Sequence, residues 1–387
     1  MYSYPFTFPK ISGRLVRRVN RFVVEAEVEG SRVEAYLPNP GRLWELLLPG
    51  TELLLSPAPE ANKLPFTVLA CRKKGWNVLL HTHLTNKVIR HLIDAGCIKS
   101  LEDYRVIKEE PVCGRHRLDL LLQHNTRGYS YYLEVKTCTL FEGRVAMFPD
   151  AITARGANHL YKLKELSAAG IKTGCLFAVM DPGVKHFLPA YHIDFNFTRA
   201  FLEVKDKVQL KAVAIGFDQS FEEVNSIVPV TVPFDYLNSE FQDRGTYLLL
   251  VKMGSEKTLT AGRLNPARFK QGYYVYVGSA MSSLSKRVAR HIRKRKRKRW
   301  HIDYLVNEAD AVTAIPIISS VYLECELADR LQEIAARPVQ GFGSSDCSCR
   351  AHLFYVAENP LHNLRFIDLI QHYRIGRLEE KLDGWHL

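Results

Sequence analysis

Apolar and polar residues alternate in short runs near the start of the chain. The strand-like runs cover residues 22–28, 32–37, 51–55, 66–70 and 77–80, and Glu29-Gly30-Ser31 forms a hairpin turn between the first two. Five short strands this close together predict a small β-barrel, and the OB-fold is the barrel of this kind that binds nucleic acid. We therefore predict an OB-like nucleic-acid-binding domain over residues 1–83.

Helical and strand periods mix after this region. The predicted elements are a helix over residues 86–94, a β-hairpin near 117–136, a helix over 152–169 and a buried strand over 174–180. This order predicts an α/β domain over residues 84–235. Asp150 stands just before the second helix and is expected to cap it, with a catalytic role as the alternative. The prolines of Pro229-Val-Thr-Val-Pro233 mark the boundary of the domain.

The hairpin carries the candidate chemistry of this domain. Folding the chain back about Thr126 sets Asp119 opposite Leu133 or Glu134, and opposed Cβ atoms in a sheet lie roughly 5 Å apart. Glu134 and Lys136 project from one face because strand side chains alternate. Two close carboxylates predict a Mg²⁺ or Mn²⁺ ion, and the lysine can orient water or steady negative charge. The alternative is an exposed strand face with alternating charges.

A second pattern begins after the boundary. Strands are predicted over residues 245–251 and 272–279, a basic helix over 284–293 and a later helix that bears Glu324. Tyr247 and Tyr276 lie on the two predicted strands, and Arg287 lies on the basic helix. These residues predict an α+β domain over residues 240–360, followed by an extension over 361–387 with no assigned role. The tyrosines are equally compatible with structural strand positions.

The net charge of +12 is concentrated in one segment. Ten Lys or Arg and no acidic residue occur between Lys286 and Arg299. Such a block attracts polyphosphate strongly and without sequence preference, or else it is a solvated loop. The cations assigned to nucleic-acid binding here are Lys286, Arg290, Arg293, Lys294, Arg295, Lys296, Arg297, Lys298 and Arg299.

Composition narrows the class of protein further. The chain has 387 residues, of which 47% are hydrophobic and 24% charged, as in ordinary globular domains rather than disordered chains. The sequence offers neither a signal-like start nor an apolar run of membrane-spanning length, so we expect a soluble, cytoplasmic protein. Its eight cysteines are mostly scattered, which predicts reduced thiols rather than a disulfide framework.

The first 235 residues resemble the sugar fermentation stimulation protein A (SfsA) family, and the hairpin resembles the PD-(D/E)XK nuclease-like core. The matching stretches are Asn20-Arg21-Phe22, Leu37-Pro-Asn39-Pro-Gly41-Arg42-Leu43, Arg117-Leu-Asp119, Glu134-Val-Lys136-Thr137, Phe148-Pro-Asp150-Ala151 and Arg155-Gly156-Ala-Asn-His159-Leu160. The resemblance implies an OB-like first domain and DNA binding, and it leaves cleavage open. Arg21, Arg42, Arg155 and His159 are the residues of these stretches that we assign to the nucleic-acid backbone.

The later pattern resembles a GIY-YIG nuclease domain. Gly245-Thr-Tyr247 and Tyr276-Val-Gly278 carry the resemblance, together with Arg287. The resemblance implies that the two tyrosine hydroxyls place or activate water, that Arg287 neutralises a phosphate and that Glu324 binds one metal ion, with Glu326 as the alternative ligand. The spacing of the tyrosines is longer than in active members, and Thr246 and Val277 replace the isoleucines of the motif. The match is closest to a GIY-YIG-like family of uncharacterised function that shares Trp300-His-Ile-Asp-Tyr304 and Gly341-Phe-Gly-Ser-Ser-Asp-Cys347-Ser-Cys349.

Cys347, Cys349 and His352 have the residue types of a zinc site but are one ligand short of four, so a small packing motif is the alternative. Taken together, the residues predict a DNA-binding protein with two fused nuclease-like modules and a Mg²⁺-dependent phosphodiesterase site. A noncatalytic DNA-binding regulator of sugar-utilisation genes is the alternative function. RNA remains open as the polymer, because neither the barrel nor the basic segment distinguishes the two sugars; no membrane contact and no particular protein partner are predicted.

Overall fold

A computed structural model describes residues 2–3, 9–260, 266–334 and 337–385. The chain forms two compact units, Met1–Phe234 together with Ile375–Leu387, and Asp235–Arg374. Residues 1 and 4–8 of the predicted barrel domain, 261–265 and 335–336 of the predicted third domain, and 386–387 of the predicted extension lie outside the described residues. The predicted domain limits at 83 and 84 fall inside the first unit and stay a prediction.

The first unit begins with a closed β-barrel. A short strand, β1 (Tyr2–Ser3), joins the larger sheet described below, and the barrel strands are β2 (Ile11–Asn20), β3 (Val23–Val28), β4 (Ser31–Tyr36), β5 (Glu52–Pro57), β6 (Phe66–Lys73) and β7 (Trp76–Leu79). The order is β4-β3-β2-β5-β6-β7, and a parallel pairing of β4 with β6 closes five strands into a ring. This confirms the predicted barrel. The pattern did not reveal β2, since Arg14, Arg17 and Arg18 interrupt its few buried positions.

A mixed sheet follows, with helices packed against it. Its elements are α1 (Thr82–Asp94), β8 (Tyr104–Glu109), β9 (Val112–Cys113), β10 (His116–Arg117), β11 (Leu120–His124), β12 (Ser130–Cys138), β13 (Leu140–Glu142), β14 (Val145–Phe148), α2 (Ala154–Ala168), β15 (Lys172–Val179), β16 (His186–Pro189), α3 (Phe195–Val204), β17 (Gln209–Phe217) and β18 (Glu223–Val230). The main sheet has the order β1-β18-β17-β15-β12-β11-β8, and β13-β14-β16 form a smaller one.

The centre of the main sheet is parallel and its edges are antiparallel. Strand β15 pairs in parallel with both β12 and β17, whereas β11 pairs antiparallel with β12 and with β8. Strands β15 and β17 are almost entirely buried, which explains their nearly continuous apolar sequences. The sheet therefore offers a rigid support for the β11–β12 hairpin, where the predicted carboxylates lie.

The second unit is built on one antiparallel sheet. Its elements are α4 (Phe234–Glu240), β19 (Gly245–Met253), β20 (Lys257–Leu259), β21 (Ala267–Phe269), β22 (Gly272–Ala280), α5 (Leu284–Ile292), α6 (His301–Glu308), β23 (Ala311–Ile318), α7 (Glu324–Glu333), β24 (Arg337–Pro338), β25 (Leu353–Val356), a 3₁₀ turn (Pro360–His362) and α8 (Leu364–Gln371). The sheet order is β23-β19-β22-β25-β24. The mixed fold class expected from the pattern is thus confirmed.

The chain ends in a π-helical turn (His372–Gly376) and a last helix, α9 (Leu378–Gly384). Helix α9 belongs to the first unit, where the Arg144 Nε donates to Glu379 Oε1 at 2.6 Å and the Arg144 backbone N–H donates to Glu379 Oε2 at 3.0 Å. Asp383 also contacts Arg144 and lies 3.2 Å from His186 Nε2. None of the helices in the described ranges is both long and apolar enough for a membrane crossing.

Candidate active site

Asp119 lies just before β11, at the point where the hairpin register sets Leu120 opposite Leu133. That register places Asp119 beside Glu134, as the sequence predicted. Its Oδ2 accepts a hydrogen bond of 2.7 Å from the Val135 backbone N–H, and its Oδ1 accepts one of 2.8 Å from Asn86 Nδ2. Asn86 belongs to α1. The sequence showed it only as a helix residue, because the contact depends on how α1 packs against the hairpin.

Glu134 is buried at the centre of the cluster, with only 1% of its surface exposed. One carboxylate oxygen, Oε1, contacts both Lys136 Nζ and His159 Nδ1. The other oxygen, Oε2, is also buried and has no hydrogen-bond partner among the residues that the structure describes. One oxygen is therefore anchored to the protein, and the other is left to accept a ligand.

The two carboxylates differ in acidity because their surroundings differ. Burial, reinforced by the neighbouring Glu134 charge, raises the pKa of Asp119 to about 6. Burial would also raise the pKa of Glu134, but Lys136 and His159 outweigh it and hold that pKa below its ordinary value. Burial would lower the pKa of Lys136, yet Glu134 raises it overall, so the lysine keeps its proton. The cluster therefore combines an ionised Glu134 with a cationic Lys136.

A cavity of about 360 Å³ opens over this cluster. Its lining includes Asp119, Glu134 and Lys136 from the hairpin, Arg155 and His159 from α2, and the barrel loop that contains Gly41. A loop of the barrel and the α/β core thus share one concave surface. A cavity of this size with convergent charged groups has the properties of a ligand site.

Asp150 joins the barrel loop to the core instead of capping α2. Its Oδ2 accepts a 3.2 Å hydrogen bond from the Leu43 backbone N–H, whereas Thr153 caps α2 by accepting from the Gly156 N–H. The predicted cap is therefore wrong, since Thr153 is the residue nearest the first turn. Gly41 is needed beside Asp150, because a Cβ at this position would lie 2.2 Å from Asp150 Oδ2.

The residues assigned to the nucleic-acid backbone occupy different environments in the first unit. Arg21 is exposed and donates to the Pro40 carbonyl at 2.9 Å, and half-buried Arg42 stacks 5.0 Å from the Trp44 ring centre. Arg155 is exposed at the cavity, with its Nε 3.4 Å from His159 Nε2. His159 itself is only 5% exposed and contacts Glu134, so its position suits support of the carboxylate.

In the second unit the two predicted tyrosines come together despite their separation in sequence. Strands β19 and β22 pair with Tyr247 opposite Gly278, and the Tyr247 and Tyr276 ring centres lie 6.4 Å apart. Gly278 permits this approach, since a Cβ there would lie 2.5 Å from the Tyr247 hydroxyl oxygen. Burial raises the pKa of both hydroxyls, so they remain protonated.

A buried relay extends from Tyr247. The Tyr247 hydroxyl lies 3.0 Å from His291 Nε2, and His291 Nδ1 lies 3.2 Å from Asp303 Oδ1. Burial would raise the pKa of Asp303, but hydrogen bonds from His291 and Arg290 hold it well below the usual range. His291 is 1% exposed, so it is a core group. Neither its spacing nor its flanking cations indicated this position.

Arg287 and Glu324 lie on either side of Ser279. Arg287 Nη1 donates to the Ser279 carbonyl at 2.7 Å, and the Ser279 hydroxyl contacts Glu324 Oε2. Glu324 also accepts from the Tyr322 hydroxyl at 2.9 Å and lies 2.9 Å from His352 Nδ1. Glu326, the alternative, accepts instead from Tyr373 at 2.7 Å. The catalytic and metal roles of Tyr247, Tyr276, Arg287 and Glu324 stay predictions.

The basic segment divides into exposed and engaged cations. Arg290 contacts both carboxylate oxygens of Asp303 at 3.1 and 2.9 Å, and Lys296 Nζ donates to the His291 carbonyl. These two support the fold of the second unit. The exposed members are Lys286, Arg293, Lys294, Arg295, Arg297, Lys298 and Arg299. Of these, Lys298 lies 4.6 Å from the Tyr304 ring centre and Arg299 5.0 Å from that of Trp300.

Comparisons with known proteins agree with this architecture. The SfsA N-terminal OB domain matches residues 16–80, the sugar fermentation stimulation protein RE domain matches 83–221, and a domain of unknown function, DUF123, which is GIY-YIG-like, matches 246–386. The fold and the matched ranges define a class of proteins in which an OB barrel is followed by an RE domain. The chain belongs to the sugar fermentation stimulation protein family, and it carries a DUF123 domain in addition.

The relatives cover the first part of the chain. A sugar fermentation stimulation protein homolog from Clostridium tetani is 34% identical over 217 residues, which is 56% of this chain and 94% of the relative. Another, from Pyrobaculum arsenaticum, is 36% identical over 234 residues, 60% of this chain and 99% of the relative. The solved structure of Pyrococcus furiosus SfsA in complex with Ca²⁺ covers 60% of this chain and 99% of its own, with 27% identity and a TM-score of 0.55.

Proposed function

We propose that the protein binds DNA and hydrolyses phosphodiester bonds with a divalent cation held by Asp119 and Glu134. The observation that carries the proposal is the environment of the Glu134 carboxylate. Its buried Oε2 has no hydrogen-bond partner in the described part of the chain, whereas its Oε1 contacts both Lys136 and His159. The Pyrococcus furiosus relative was solved in complex with Ca²⁺, which supports a divalent cation in this family.

The donor set fits a hard cation. Carboxylate oxygens suit Mg²⁺ and Mn²⁺, and among the described residues no thiol or imidazole forms a hydrogen bond with Glu134 Oε2. When bound, such an ion polarises a phosphate and acidifies a water molecule. Asp119 and Glu134 are the residues that would hold it.

The surrounding side chains can perform the remaining tasks. Lys136 keeps a proton beside Glu134 and can steady the negative charge that develops on a phosphate. Arg155 and Arg21 are exposed at the same cavity and can hold the flanking phosphates by charge-assisted hydrogen bonds. The seven exposed cations of the basic segment can bind the phosphates of the DNA backbone without sequence preference.

The test compares cutting and binding in the same protein. Purified full chain is incubated with plasmid, single-stranded DNA and RNA in Mg²⁺, Mn²⁺ or chelator, and binding is followed by fluorescence anisotropy. We expect metal-dependent cutting that Asp119→Asn lowers roughly 10²–10³-fold while binding is kept. Asp206→Asn, which makes the same charge change at an exposed position, is the matched control and should cut like wild type.

The outcomes separate the alternatives. DNA binding that is independent of metal, with no cutting by wild type in any cation, supports a noncatalytic regulator of sugar-utilisation genes. Tighter binding of RNA than of DNA at matched salt supports RNA processing. If cutting survives Asp119→Asn and disappears in Glu324→Gln, the second unit is the nuclease and the hairpin site is not.

A further inference from the structure

Four metal-ligand side chains meet in the second unit. Cys325 lies in the first turn of α7, Cys347 and Cys349 lie in the loop between β24 and β25, and His352 immediately precedes β25. One ligand atom from each of the four lies within 4.8 Å of all the others. The sequence showed only three of them, and Cys325 from a different element supplies the fourth.

We infer that Cys325, Cys347, Cys349 and His352 form a structural zinc site. Three sulfurs and one imidazole nitrogen are a typical donor set for tetrahedral zinc, and their number leaves no position open for a substrate. Edges of such a tetrahedron are about 3.4–3.8 Å long. Cys347 Sγ and His352 Nε2 are already 3.4 Å apart. No separation among the four ligand atoms exceeds 4.8 Å, so none needs to shorten by more than about 1 Å, which a loop ligand can accommodate.

The imidazole is oriented for this role from both sides. His352 is 1% exposed, its backbone N–H donates to the Phe342 carbonyl, and its carbonyl accepts from Val277 on β22. Its Nε2 faces Cys347, and its Nδ1 lies 2.9 Å from Glu324 Oε1, an ion-pair contact without hydrogen-bond geometry. A carboxylate beside the second nitrogen of a ligating histidine is a common feature of zinc sites, and a small rotation of either side chain would complete the hydrogen bond. Zinc at this cluster would therefore connect α7, the loop and the sheet.

Disulfide formation is the competing use of these thiols. All eight cysteines are free in the described structure, and the other five, among them Cys97, lie outside the cluster. A disulfide would join two of the three sulfurs and leave His352 with no role toward them. The convergence of all four atoms favours a metal ion over an oxidised pair.

Metal analysis of the full chain tests the inference. The protein is expressed in medium with added zinc, purified without chelator and dialysed against excess Mg²⁺. Its zinc content is then measured by mass spectrometry. We expect about one zinc ion per chain. Replacement by Co²⁺ should give the visible absorption of tetrahedral cobalt with thiolate charge-transfer bands, which reports the ligands without any variant.

Variants then locate the ion. Cys349→Ser should weaken zinc affinity at least about tenfold, whereas Cys97→Ser, a control outside the cluster, should leave it unchanged. Asp119→Asn should also keep its zinc, so failure of the carboxylate site and failure of this site are distinguishable. Wild type without zinc, iron in place of zinc, a disulfide among the three cysteines, or an octahedral cobalt spectrum would each overturn the inference.

Discussion

The surroundings of Glu134 show why some residues of the site could be predicted from the sequence and others could not. The positions of Asp119, Glu134 and Lys136 follow from strand alternation and hairpin register, which are local properties of sequence. Asn86 and His159 reach the carboxylates from two helices, so only tertiary packing places them there. The motif therefore predicted the acidic cluster, whereas the groups that hold it in position required the structure.

Asp119 makes stability depend on pH. Its folded pKa of about 6 is above the ordinary value of 3.8, so the folded state binds its proton more tightly than the unfolded state. The stabilisation from protonating Asp119 is absent at high pH and appears as pH falls through 6. In chelator, we expect wild type to gain about 1 kcal/mol relative to Asp119→Asn between pH 7 and 5.

Urea unfolding of wild type and Asp119→Asn at each pH measures the difference between their free energies of unfolding. The change in this difference from pH 7 to pH 5 excludes any effect of the amide that does not depend on pH. A difference that stays flat, or that favours the variant more as pH falls, would contradict the raised pKa of Asp119.

His159 is a positioning residue for Glu134. Its Nδ1 contacts the same oxygen as Lys136, so His159→Ala should let the carboxylate rotate and reduce Mn²⁺ affinity about 10–100-fold. Calorimetric titration of Mn²⁺ into the full chain measures the affinity. His362→Ala, at an exposed position, is the control and should bind like wild type. Equal affinity in the two variants would assign His159 to packing alone.

Strands and helices whose apolar residues follow one clear period were predicted well from the sequence. The barrel strands after β2, the helix α2 and the buried strand β15 all lie within a few residues of their expected bounds. Strand β2 was missed because its arginines hide the alternation. Helix α1 begins at Thr82, before its expected start at residue 86, since its first turn carries polar residues. Both differences arise where a solvent-facing surface masks the apolar period.

The pairing of β19 with β22 depends on Gly278. An alanine there would place its Cβ 2.5 Å from the Tyr247 hydroxyl oxygen and 2.9 Å from Tyr276 Cε1. We expect Gly278→Ala to lower the free energy of unfolding of the second unit by about 1–3 kcal/mol through overpacking. Thermal unfolding followed by tyrosine fluorescence measures the effect. Gly384→Ala, a helix position with open space around it, should instead unfold at or slightly above the wild-type temperature.

Along the whole chain, positive charge is concentrated between Lys286 and Arg299, a stretch of sequence without an acidic residue. Neutralising five exposed cations with glutamine, at Arg293, Lys294, Arg295, Arg297 and Lys298, should reduce the salt slope of DNA binding by up to about 4. Lys296 is left in place because it supports His291. Binding isotherms at several salt concentrations give the slope.

A control variant that loses the same charge at other positions separates the effect of net charge from that of the basic segment. It neutralises the exposed lysines Lys63, Lys99, Lys172, Lys185 and Lys207. We expect a clearly smaller change in slope for this control. Equal changes in both proteins would mean that net charge matters and that the basic segment makes no particular contact with the backbone.

The return of the chain to its first unit has a practical consequence for dissecting the protein. The described residues 375–385 group with the first unit, so the chain leaves that unit after residue 234 and returns to it at residue 375, although the DUF123 match continues to residue 386. A fragment that stops at residue 234 would deprive Arg144 of the Glu379 and Asp383 carboxylates. An excised first unit that keeps both ion pairs of Arg144 would carry residues 375–385, joined by a short flexible linker in place of the second unit.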